Sequence, residues 1–272
     1  MPLTEFDLPF EDTTIHCWEG GTGFPVIMLH GSGAGASIPG NFKRVLEPLA
    51  RRYHVLAADL VGFGLSGRKS VKPYFDVEMW IRQAQFLLRR LDGDVGIIGH
   101  SLSGALALKL AAREARVTRV LTTGTMGSSF PCKPGARLWR YPPSRDLLRE
   151  QTQVTVWDKS LIDEAEVSYR WRILTQPGYR EYFEAMFDQD KQFFVDASAL
   201  SAEELRLIRA TILMMHGRHD ASFPAEHTCL VLAASLAADI WLIERCGHSV
   251  ALEHPEKFLA AAGLLFPSDR SP

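Results

Sequence analysis

No stretch of this 272-residue chain is long and apolar enough to cross a membrane. The acidic opening Met1-Pro2-Leu3-Thr4-Glu5-Phe6-Asp7 lacks the apolar core of a signal peptide. Charge of one sign is missing too: 30 Lys and Arg face 32 Asp and Glu, with no extended basic run. That leaves nucleic acid and anionic membrane as poor partners. Cysteine is scarce. Cys17, Cys132, Cys229 and Cys246 are widely scattered and form no C-x-x-C pair. Reduced thiols in a cytoplasmic protein are expected. The histidines fall in no metal-ligand spacing. The pairs His216 with His219 and His248 with His254 form no recognised set, so neither metal nor cofactor is expected. Repeats and low-complexity tracts are also absent.

What is present is an alternation of short apolar strands and helices. Strands are expected at Thr14–Glu19, Pro25–His30, Tyr53–Asp59, Val95–Ile98, Val117–Thr123, Thr211–His216 and Ile240–Ile243. Helices are expected near Phe42–Ala50, Asp76–Leu91, Ala105–Ala112 and Phe258–Phe266. This order predicts an α/β fold, a mostly parallel sheet with helices on both faces. The alternation stops over residues 127–205. That segment carries Pro131, Pro134, Pro142, Pro143 and Pro177 and aromatic-rich helical stretches. It reads as a helical cap inserted into a core made of residues 1–126 and 206–272. Its aromatics (Trp139, Tyr141, Trp157, Tyr169, Trp171, Phe183, Phe187) are expected mostly to pack the cap, as large rings do.

The run Gly99-His100-Ser101-Leu102-Ser103-Gly104 stands between a strand and a helix. Strand, Gly-flanked Ser, then helix is the layout of a nucleophile elbow, although Ser103 stands where a second Gly is usual. A serine hydroxyl needs a base, and the base needs a third group to orient it. In chain order Ser, Asp, His, the candidates are Ser101, Asp220 and His248, the last two just past strand ends. His216 and His219 are alternative bases and Asp59 an alternative acid, although Asp59 fits better as organiser of the Gly62-Phe63-Gly64 turn. An oxyanion hole needs two N–H donors. Leu102 follows the nucleophile, and Ser32 lies in the Gly-rich loop after the second strand. That loop lacks the G-K-[ST] ending of a P-loop.

These features resemble the α/β-hydrolase family, and more narrowly the meta-cleavage product hydrolases. His30-Gly31-Ser32-Gly33-Ala34-Gly35-Ala36 resembles their H-G-[SG]-G-P-G-A loop, with Ala34 in place of Pro. Cys246-Gly247-His248 resembles the segment around their catalytic His, and Arg170-Trp171 their Arg-Trp pair. The resemblance implies an α/β-hydrolase fold with a helical cap and C–C bond hydrolysis of a ring-opened dienoate. Arg170, Asn41 and Gly33 would then hold the carboxylate of an anionic keto acid, with Trp171, His100 and Ser249 shaping the pocket. A plain alternative for Arg170 is a surface pair with Glu166. His100 stands where the family often has Asn, and Ser249 where it often has Trp; both bear on substrate choice. Family members often self-associate, but no sequence feature marks an interface. A carboxylesterase or lactonase would use the same triad. A non-catalytic ligand receptor on this fold is a third reading, since fold does not dictate function.

Overall fold

Strands β3 (Pro25–Leu29), β4 (His54–Ala58) and β5 (Val95–His100) are apolar but for His54 and His100 at their ends, and buried almost throughout. Strands covered on both faces carry such runs rather than an alternating pattern. In the computed structural model, which describes residues 3–131 and 139–267, they join β1 (Thr4–Phe10), β2 (Thr13–Gly20), β6 (Val117–Thr123), β7 (Thr211–Gly217) and β8 (Asp239–Ile243). The eight strands form one sheet in the order β1-β2-β4-β3-β5-β6-β7-β8. Every pairing from β4 to β8 is parallel, while β1 and β2 make an antiparallel margin.

Helices cover both faces. On one lie α1 (Ile38–Phe42), α2 (Leu46–Ala50), α11 (Val250–Glu253) and α12 (Pro255–Leu265), sharing a core with Val26, Met28 and Ile98. On the other lie α3 (Val77–Leu88), α4 (Leu102–Arg113) and α10 (Cys229–Leu236), packed on Ile27, Leu29 and Ile97. Two expectations change. The acidic N-terminus forms β1, whose Leu8 and Phe10 are buried. The single helix expected over Phe42–Ala50 is two, α1 and α2. Pro48 requires a fresh start, because proline fits the first turn of a helix and not its interior.

Between β6 and β7 stand α5 (Arg145–Gln153), α6 (Glu164–Leu174), α7 (Tyr179–Met186), α8 (Lys191–Ser198) and α9 (Ala202–Leu207). Side chains of Ser144, Asp163, Asp190 and Ser201 cap four of them. Tyr179, Phe183, Phe187 and Phe194 form the interior of this helical insertion, whereas Trp157 is half exposed. Cys132 and Pro134 lie outside the described residues; Cys17, Cys229 and Cys246 are free thiols. Among the described residues, no helix is long and apolar enough to cross a membrane, and no three His, Cys, Asp or Glu group as metal ligands.

Candidate active site

Ser101 joins β5 to α4 with φ 56° and ψ −118°, a conformation that L-residues avoid. The turn is tight enough that a Cβ on Gly99 would lie 2.1 Å from the Ser103 carbonyl oxygen. Ser103 itself has room, and its hydroxyl donates to the His30 carbonyl. The missing second glycine is therefore replaced by a tie between the elbow helix and the end of β3. The Ser101 N–H donates to Thr123 O at 2.9 Å, fixing the elbow to β6.

Asp220 follows β7 and His248 follows β8. His248 Nδ1 lies 2.7 Å from Asp220 Oδ2, and both side chains are buried. Asp220 Oδ1 accepts the N–H groups of Ser222 and Phe223 at 3.0 and 2.9 Å. Burial opposes ionisation of Asp220. The charge of His248 and hydrogen bonds from His216 and His248 outweigh it and hold the carboxyl below the usual range. The His248 ring lies between two others, His100 at 4.6 Å and Phe223 at 4.9 Å between centroids. Ser101 and His248 line one cavity. Of the alternative residues, His216 lies behind Asp220, 3.3 Å from its Oδ2, and the other two sit elsewhere. His219 is on the surface with Glu244. Asp59 accepts the N–H groups of Ile38 and Leu65, organising the turn at Gly64. Burial, against those bonds, pushes its pKa up to about 7.

The same cavity is lined by Ser32, Gly33, Asn41, His100, Arg170 and Ser249. The N–H groups of Ser32 and Leu102 have no partner among the described residues. The Ser32 hydroxyl accepts from Trp139 Nε1 at 3.1 Å. Asn41 Oδ1 accepts from Gly31 N at 3.0 Å, leaving its amide NH2 for a ligand. His100 Nδ1 lies 3.1 Å from Thr123 O, a pure acceptor, so Nδ1 carries the proton and Nε2 offers a lone pair. Burial, then the neighbouring His248, hold the His100 pKa well below the usual value.

Arg170 is buried against the α1 loop. Its Nε donates to Glu166 Oε1 at 2.6 Å and its Nη2 to Gly40 O at 3.0 Å. Glu166 Oε2 also takes Lys43 Nζ at 2.6 Å. The pairing with Glu166 thus exists, but inside the protein and at the cavity wall. Gly35 makes way for it: a Cβ there would lie 2.8 Å from Arg170 Cβ. Trp171 does not reach the cavity. One residue further round α6, about 100° away, it is half-buried against the core of the insertion. Ser249 N and Oγ donate to Thr155 O and Oγ1 at 3.0 and 3.2 Å. Glu253 extends the link, accepting from Trp157 N and Gly247 N at 2.6 and 2.7 Å.

Wall residues that the sequence reading missed are Leu148, Gln151 and Thr152 on α5, with Thr155 and Phe223. Of the insertion aromatics, Trp139 lines the cavity, while Phe183 and Phe187 pack the interior.

The model of the alpha/beta hydrolase family matches residues 26–262. The 2-hydroxy-6-oxo-2,4-heptadienoate hydrolase of Pseudomonas putida strain F1 is 34% identical over 91% of this chain and 90% of its own length. The 2-hydroxymuconate semialdehyde hydrolase of Pseudomonas sp. strain CF600 is 33% identical, over 92% of this chain and 89% of its own. The solved meta-cleavage product hydrolase CumD of Pseudomonas fluorescens IP01 superposes with a TM-score of 0.86. It is 30% identical, covering 92% of this chain and 93% of its own. With its elbow serine, parallel sheet and helical insertion, this chain belongs to the alpha/beta hydrolase family, among the meta-cleavage product hydrolases.

Proposed function

We propose that this chain hydrolyses the C–C bond of a 2-hydroxy-6-oxo-2,4-dienoate formed by meta-cleavage of an aromatic ring. The observation that carries this reading is a buried cation in the wall that also holds Ser101. Arg170 is neutralised by the buried Glu166, which also takes the partly exposed Lys43, so the cluster carries no excess of negative charge to repel an anion. The guanidinium at the wall is suited to holding a carboxylate. The relatives named for heptadienoate and muconate semialdehyde hydrolysis support a small group on the ketone carbon.

The roles follow from position. The dienol first becomes a ketone. Ser101, or a water activated by His248, then attacks the carbonyl, with Asp220 orienting the imidazole. The N–H groups of Ser32 and Leu102 hold the oxyanion. Arg170, Asn41 and Gly33 hold the carboxylate end, and residues 127–205 act as the cap that closes over it. Two acids leave: a dienoate and the acid formed from the ketone carbon.

The test is a bleaching assay on the yellow dienoate, run beside hydrolysis of a p-nitrophenyl ester. In Arg170→Ala, kcat/KM for the dienoate should fall about 10- to 100-fold, the worth of a charged hydrogen bond. The neutral ester should change little. Ester turnover by the native enzyme with no bleaching would replace this reading with an esterase or lactonase.

A further inference from the structure

Among the described residues, His216 is the strand-borne side chain that lies against Asp220. It is the last residue but one of β7, within the buried run, while Asp220 and His248 both stand on loops. Its Nε2 lies 2.7 Å from Phe223 O and 3.3 Å from Asp220 Oδ2. A carbonyl oxygen only accepts, so Nε2 carries a hydrogen that serves the carbonyl and leans on the carboxylate. The Phe223 N–H returns to Asp220 Oδ1 at 2.9 Å, and the Phe223 ring stacks on His248. His216, Phe223, Asp220 and His248 thus form a closed set. Both backbone groups of Phe223 are spoken for within it. Three donors bond the carboxylate, His248 at Oδ2 and the Ser222 and Phe223 N–H groups at Oδ1, and His216 Nε2 lies against Oδ2 at 3.3 Å.

We propose that His216 is a positioning residue of this site, anchoring the Asp220 carboxylate and Phe223 to the sheet so that His248 is held in line with Ser101. The proposal rests on the roles given above to Ser101, Asp220 and His248. His216 touches no reacting atom. It acts through Asp220, and side chains held by rigid elements are positioned more tightly than those on loops alone. The other titratable groups facing this set are Cys229 on α10, His100 on the far side of His248, and Cys246 two residues before it.

His216→Leu removes the imidazole N–H that lies against Asp220 and bonds Phe223 O. The carboxylate then bears more fully on His248, whose proton affinity rises. The acid limb of the pH profile of kcat/KM should move up by about half a unit to one unit. The kcat should drop about tenfold from misplacement, with KM within about twofold. His216→Gln, whose Nε2 can reach the same point, should recover most of both. Should His216→Leu fail to fold in thermal melts, His216→Asn, too short to reach Asp220, carries the same expectation. A wild-type pH profile and kcat in folded His216→Leu or His216→Asn would overturn the proposal. So would a His216→Gln that recovers nothing. Asp220→Asn run alongside separates the two levels. If it retains full activity, the triad assignment fails; if it is inactive while His216 variants match wild type, only the role of His216 falls.

Discussion

The floor and the roof of the cavity are built by different means. The floor is made at strand ends, where backbone geometry sets each side chain: Ser101 after β5 and His248 after β8, with Asp220 after β7 behind the His248 ring. The roof is made of helix faces and one ion cluster, with Leu148, Gln151 and Thr152 from α5 and Arg170 from α6. The floor positions the proposed catalytic groups. The roof can change its contacts residue by residue while those positions stay. Substrate choice is shared between the roof and the two floor residues His100 and Ser249 that flank Ser101 and His248.

The comparison is sharpest at Ser101. Ser101→Ala should cost at least about 10³-fold in kcat on the dienoate and leave KM within a few-fold, by stopped-flow bleaching. Next comes the ion cluster. Glu166→Gln leaves Lys43 and Arg170 without their shared anion. Dienoate kcat/KM should fall about tenfold, with ester turnover unchanged, because the loosened guanidinium is misaimed. Equal losses on both substrates would erase the distinction between floor and roof. Acid stability should then follow the floor. Asp220 is held below its unfolded range, so its contribution is complete above about pH 4 and fades as pH falls further. Urea melts between pH 5 and 3 should show this slope flattened in Asp220→Asn. The smallest effect is at Ser103. Ser103→Gly restores the usual elbow pattern but removes the bond to His30 O. Stability should drop by about 1 kcal/mol in urea titration, with kcat within threefold.

The same division governs what could be read in advance. The proposed triad of Ser101, Asp220 and His248 can be named in advance because each must be one residue type at one kind of place, and chain order does the rest. The proposed oxyanion donors, Ser32 and Leu102, are named from the loops that flank them. Wall residues on α5 leave no such mark. Arg145-Asp146-Leu147-Leu148-Arg149-Glu150-Gln151-Thr152-Gln153 reads as an ordinary solvated helix, and only packing shows that its Leu148 and Thr152 are buried. Trp171 was expected at the cavity because Arg170-Trp171 resembles the family's Arg-Trp pair, but neighbours in sequence diverge around a helix, and here only Arg170 reaches the wall. Strand β1 was overlooked because its charges dominate. Yet Phe6, Leu8 and Phe10 do alternate, and Pro9 suits an edge strand.

The hydrogen bonds from Ser249 to Thr155, and from Trp157 and Gly247 to Glu253, have a mechanical consequence. They latch the segment after α5 to the loop that carries His248. Residues 155–157 and the His248 loop therefore cannot be displaced independently while these bonds hold: a shift of one is carried to the other, and the wall of the cavity and the imidazole within it keep a common register.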